Sequence, residues 1–290
     1  MTLCIAAVCR HEGQPAIVTC ADWQVTGPSI AWEDYYKLRH YPNATIMISG
    51  GLGEADDVCF DLYAVLKEFD EIRRSKADFE PRVGQYIAKV RETLTRRKRL
   101  RAEHTVAMKW GISLDKFYRK GLKRMPKDLY RKVIGEIEQV GLGMSSIIVY
   151  SGGNELVMLK TGPHGGVFWE RTYAAIGSGE RIALAFLCQA PHDPNMPLGQ
   201  CLARVLTAKV AAERDPNVGR NTSLGVILAD GRRFDVGDEA WAFLRDRVRT
   251  PLGVTAADEL EALPLLGKLL TEGETGQGRQ TADPWAQPAG

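Results

Sequence analysis

Seven consecutive apolar residues, LCIAAVC at positions 3–9, follow Met1-Thr2. A strand without a polar face has to be covered on both sides. That excludes a sheet with one face in water and requires further layers above and below it. Residues 10–15, polar around Gly13 and Pro15, read as a hairpin connection to a second strand over 16–21. Two more short strands are expected over 35–39 and 44–48, split by Pro42-Asn43.

A glycine-rich turn at 49–53 then leads into a helix, because Ala55, Val58, Cys59, Leu62, Val65, Leu66, Phe69 and Ile72 recur at helical spacing. A second helix is expected over about 83–101. One or two short ones should lie within 102–135, with Gly111 and Gly121 as breaks and Pro126 at a helix start. Strand patterns return at 146–150 and 155–160 around the hairpin signal Gly152-Gly153-Asn154, and continue at 167–170 and 173–176. Helices after Gly177-Ser178-Gly179 and over 198–213 precede strands at 223–228 and 233–236. Strands, helices, strands, helices, strands: this order predicts a layered α+β sandwich with both sheets inside and the helices outside.

The domain division expected is one domain over 2–250 with a basic helical insertion at about 102–140. A C-terminal helical extension over 251–270 and a disordered tail over 271–290 follow it. Hydrophobic residues make up 44% and charged residues 26%, which excludes a fibrous or wholly disordered chain. No apolar run reaches the length of a membrane span, and residues 3–8 have neither the basic flank nor the cleavage site of a signal peptide. A cytoplasmic protein is expected. The six cysteines, at 4, 9, 20, 59, 188 and 201, sit mostly inside apolar runs and read as reduced core residues. The spacing of Cys188, His192 and Cys201 fits no closed zinc site, so neither metal nor cofactor is expected.

Charge is distributed unevenly. Residues 91–132 carry 15 Lys and Arg against 4 acids, a net of +11 inside a chain of net +2, which leaves −9 elsewhere. Trp110, Phe117, Tyr118 and Tyr130 are interleaved with these cations, but at helical spacing they read as packing residues more than as a nucleic-acid surface.

Phosphate-loop, dinucleotide-binding, HExxH and GxSxG signatures are lacking. The chemistry-bearing feature is Thr2. Removal of Met1 leaves a threonine with both a hydroxyl and a free α-amine. An α-amine titrates at about 7.7–8.0, so a useful neutral fraction exists to take the hydroxyl's proton. One residue then supplies nucleophile and base, a known variant of triad logic.

Around Thr2 the chain resembles the proteasome β-subunit family of N-terminal-nucleophile hydrolases, bacterial homologues included. The resemblance rests on 2–8, Ala21-Asp22 with Thr26-Gly27, Lys37-Leu38, Ile48-Ser49-Gly50 running to Ala55-Asp56, 173–179 (YAAIGSG) and Arg214-Asp215. It covers roughly 2–75 and 143–236. It implies a four-layer αββα sandwich and a threonine-type peptidase in a self-compartmentalised homo-oligomeric ring acting on peptide or protein. Thr2 would attack the scissile carbonyl, Lys37 would favour the deprotonated hydroxyl, and Asp22 would hold Lys37. Backbone N–H groups at Gly50 and Gly51 would bind the oxyanion, and Ser178 and Asp215 would position the α-amine. The family's usual serine shortly after the Asp215 position is replaced by Val218. Read without the resemblance, Asp22 and Lys37 are an ordinary ion pair, Ser178 a helix cap and Asp215 a helix end. A small-molecule amidase with the same nucleophile, or a non-catalytic ring subunit, are the rival functions; an ATPase partner is not readable from the sequence.

Overall fold

The computed structural model describes residues 3–23, 25–26, 31–32, 37–51, 55–75, 83–152, 155–189, 192–236 and 245. Thr2, the expected extension over 251–270 and the tail over 271–290 lie outside the described residues.

The chain opens with β1 (Leu3–His11), β2 (Gln14–Asp22) and the two-residue strands β3 (Val25–Thr26) and β4 (Ala31–Trp32), followed by β5 (Leu38–Tyr41) and β6 (Ala44–Gly50). Helices α1 (Ala55–Ser75), α2 (Val83–Trp110), α3 (Leu114–Arg124) and α4 (Lys127–Gln139) come next. Then follow β7 (Met144–Gly152), β8 (Glu155–Thr161), β9 (Val167–Glu170), β10 (Tyr173–Gly177), α5 (Glu180–Cys188), α6 (Leu198–Ala212), β11 (Thr222–Leu228) and β12 (Arg233–Asp235). Two five-stranded antiparallel sheets result, in the orders β10-β1-β2-β11-β12 and β5-β6-β7-β8-β9, beside the small β3–β4 pair.

Three groups of buried side chains define the layers. Cys4, Ala6 and Ile17 of the first sheet meet Met47, Ile147 and Val149 of the second, so the two sheets face each other across a shared apolar layer. Ile5, Val18 and Leu224 turn the other way, onto Leu187, Leu202 and Leu206 of α5 and α6. Ile46, Ile148 and Leu159 pack against Leu62 and Leu66 of α1 and Val90 of α2. Alternate residues of β1 therefore serve two cores, which is why positions 3–9 contain no polar residue. Arg97 ties α1 to α2, its Nε donating to Asp61 Oδ2 at 2.5 Å.

Some boundaries differ from the sequence reading. Helix α2 runs to Trp110 instead of about 101, because Ala102 and Val106 on its last turns are buried in a separate small core with Phe117 and Val133. Gly121 does not break α3. A side chain there would come within 3.1–3.2 Å of the rings of Phe117 and Tyr130, so the glycine lets α3 approach α4. Phe117 is buried and stacks on Tyr130 at 5.0 Å, whereas Tyr118, read as a packing residue, is 53% exposed. Five cysteines are buried as expected, but Cys188 is exposed.

Candidate active site

Asp22 ends β2 and Lys37 immediately precedes β5. Their side chains are 0% and 3% exposed and meet at 2.6 Å, Lys37 Nζ to Asp22 Oδ1. Because β2 belongs to the first sheet and β5 to the second, this ion pair bridges the sheets at one end of their apolar interface. Two backbone donors complete the carboxylate: the Leu3 N–H to Oδ1 at 2.8 Å and the Gly219 N–H to Oδ2 at 2.8 Å. Such a buried carboxylate persists only with its acceptor sites met, and here a cation and two amides meet them. The ion pair expected without the resemblance is present, and it is a buried one.

The backbone around the pair is fixed as well. Ile48 N–H donates to Lys37 O at 3.1 Å, tying the residue before β5 to β6. Cys4 Sγ lies 3.5 Å from Ile48 O, a second link between the sheets. Burial pushes the Cys4 thiol far above its usual range, with Lys37 pulling the other way and Asp22 adding to the rise. Cys4 is therefore an inert neighbour of the ion pair.

Gly50 closes β6 with φ +127°, opposite Met144 in register. A Cβ there would collide with the Gly143 carbonyl oxygen and lie 2.7 Å from Met144 Cα, so only glycine fits. The Gly51 N–H donates to that same Gly143 oxygen at 2.9 Å. Gly143 itself, at φ +67°, lies under the Arg101 guanidinium of α2. Of the two amides expected to serve an oxyanion, the one at Gly51 is thus already bonded within the protein.

Ser178 follows β10, whose Gly177 pairs with Leu3, so it stands at the end of the sheet where β1 begins. It does not cap α5: the N-cap is Gly179, without a side-chain bond. Gly179 in turn packs closely on Val218, Ala212 and Leu3. Asp215 lies in the turn after α6, its Oδ1 accepting the Asn217 N–H at 2.9 Å and Asn217 Nδ2 at 2.8 Å. The same turn carries Gly219, which bonds Asp22. The turn is pinned by a second buried ammonium: Lys209 Nζ, 0% exposed, donates to Glu213 Oε1 at 2.5 Å and to Arg220 O at 2.8 Å.

The described residues therefore bring together Asp22, Lys37, the amide of Leu3 and the turn containing Asp215 and Gly219. Gly219 and Gly143 escaped sequence reasoning. They act through backbone groups, which leave no mark in the residue type of a partner.

No family model matches the chain. Over 85 residues it is 36% identical to the proteasome subunit beta of Methanocaldococcus fervens, a stretch covering 29% of this chain and 38% of that protein. Over 101 residues it is 35% identical to the proteasome subunit beta of Methanocaldococcus jannaschii, covering 33% of this chain and 44% of the relative. The chain thus spans less than half the length of these curated relatives. Its likeness is to proteasome beta subunits, partial and at low identity.

Proposed function

We propose that the chain is a threonine-type hydrolase of peptide bonds, with Thr2, freed by removal of Met1, as nucleophile, working in a self-compartmentalised homo-oligomer. The observation that carries this reading is the sharing of one carboxylate oxygen: Asp22 Oδ1 accepts both Lys37 Nζ and the N–H of Leu3, the residue next to Thr2. A buried ammonium is thereby held within one bonded carboxylate of the first described residue of β1. The likeness to two proteasome beta subunits supports the peptide substrate and the oligomer.

In this mechanism the free α-amine of Thr2 takes the proton of its own hydroxyl, directly or through a water, as Oγ attacks the carbonyl carbon. Lys37 lowers the energy of the developing alkoxide, and Asp22 keeps the ammonium oriented. Along β6 successive N–H groups alternate in direction. Ile48 donates toward β5 and Gly51 toward Gly143, so the Gly50 N–H, two residues beyond Ile48, points to the Lys37 side. Gly50 is the oxyanion donor in this scheme; Gly51 supports it by fixing the turn. The amine returns its proton to the leaving nitrogen, and water hydrolyses the resulting ester. Ser178 and the Asp215 turn position the amine.

A second reading, a non-catalytic ring subunit, draws on one observation. The Asp215 carboxylate closes its own turn through Asn217, with Val218 where the family has serine. One experiment separates the two. Intact-mass measurement should find Met1 absent, and cleavage of a fluorogenic peptide panel should fall to background in Thr2→Ala and by about 10²-fold or more in Lys37→Met. Retained Met1, or cleavage unchanged in Thr2→Ala, overturns the hydrolase.

A further inference from the structure

The basic helices carry a cleft that the proposed mechanism does not use. A cleft of about 130 Å³ opens between the end of α2 and α3, with Trp110, Ile112, Phe117 and Met125 as apolar wall and floor. An engineered apolar cavity of about 150 Å³ admits benzene, so this cleft has room for one leucine-sized side chain. Lys116, Lys120 and Arg124 line its rim at i, i+4 and i+8 of α3, one face of the helix. All three are exposed. Some cations of α2 and α3 are matched: Arg96 and Arg97 reach Asp61, Lys109 reaches Glu136, and Arg119 reaches Asp115. Among the described residues, the three on the rim have no acidic partner. An apolar slot under an unmatched cationic row fits a segment that alternates carboxylates with leucines.

The chain contains such a segment. Residues 256–266 read AADELEALPLL, with Asp258, Glu259 and Glu261 beside Leu260, Leu263, Leu265 and Leu266, and no Lys or Arg occurs between 251 and 267. We infer that this acidic leucine segment docks in the α2–α3 cleft, a leucine seated against Trp110 and Phe117 and its carboxylates on Lys116, Lys120 and Arg124. Charge complementarity selects the occupant: the block at 91–132 carries +11 and the rest of the chain −9. The 13 residues from Arg245 to Asp258 span up to about 45 Å when extended, so the segment sits on a long tether.

The test uses the full chain. Carbodiimide coupling followed by peptide mapping should join Lys116 or Lys120 to Asp258, Glu259 or Glu261. Mixing isotope-labelled and unlabelled protein tells a same-chain link from one between copies, and either upholds the docking. Hydrogen exchange over 110–125 should quicken by about tenfold in full-length Leu263→Glu/Leu266→Glu, and equally in Lys116→Glu/Lys120→Glu. Both variants change residues outside the described core, so loss of folding is not expected; unchanged exchange in α6 checks it. Links from α3 only to acids elsewhere, or exchange unaltered by either variant, overturn the inference. So does protection of 110–125 that ignores both changes and appears only on adding a single-stranded oligonucleotide. Peptidase activity plays no part in these readouts, so this inference and the proposed function fail separately.

Discussion

Replacing Asp22 by asparagine keeps the shape of the side chain and removes the charge that faces, among the described residues, Lys37 Nζ at 2.6 Å and the amides of Leu3 and Gly219 at 2.8 Å each. The carboxamide has one accepting oxygen where the carboxylate has two, so its NH2 faces a donor. Lys37, 3% exposed, loses the Asp22 counter-charge at 2.6 Å. Breaking a buried pair from one side costs ~3–5 kcal/mol. For an ordered domain of this size that corresponds to a fall in melting temperature of ~6–20 °C. Urea unfolding followed by circular dichroism reads the loss directly, with the slope expected unchanged. The decisive comparison is Asp22→Asn/Lys37→Met, which removes the stranded ammonium as well. It should recover part of the stability lost in Asp22→Asn, because the ammonium no longer lies buried beside an uncharged partner, while the asparagine still faces the amides of Leu3 and Gly219. A loss below ~1 kcal/mol in the single variant, the range of surface pairs, would mean that Lys37 reaches water, and the reasoning about the site would fail with it.

Gly50→Ala should destabilise strongly or displace the turn, since its Cβ meets Gly143 and the backbone is at φ +127°; an unfolding midpoint equal to that of the parent refutes the close approach. Of the six thiols, Cys188 alone should react quickly with an alkylating reagent in the native protein, as it is exposed while burial raises the Cys20 and Cys59 thiols to about 12; modification of Cys4 at a comparable rate would contradict the packing. The Arg97 guanidinium beside Asp61 holds that carboxyl below the usual carboxylate range, so its contribution is complete above the unfolded value and vanishes as pH falls through the folded one. Asp61→Asn should therefore be less stable than the parent near about pH 7, the difference shrinking as pH falls below the usual carboxylate range; a difference that does not shrink in acid refutes the α1–α2 clamp.

What the sequence made legible follows from which forces leave a periodic trace. Burial of β1 on both faces writes itself as LCIAAVC, and the α1 stripe from Ala55 to Phe69 is buried as its spacing required. The end of α2 left a fainter trace. Only Ala102 and Val106 of its last turns are buried, with Glu103, His104, Thr105 and Lys109 around them, so the apolar period dissolves before the helix does. Sheet membership leaves none. Strands β5 and β6 follow β2 closely in the chain yet build the opposite sheet, and no local pattern distinguishes a strand that pairs with its predecessor from one that crosses over. The candidate site depends on that crossover. Asp22 and Lys37 are 15 residues apart and meet only because the chain passes from one sheet to the other between them. Their residue types were visible; their burial together was not, and the amide of Gly219, 197 positions from Asp22, was invisible altogether. A charged pair in an otherwise dry layer between sheets has a folding consequence too. It satisfies its groups only when both sheets dock in register, so the site resists sliding of the sandwich at the end where β1 begins. Fold specificity and the geometry available for chemistry are in this chain the same interaction.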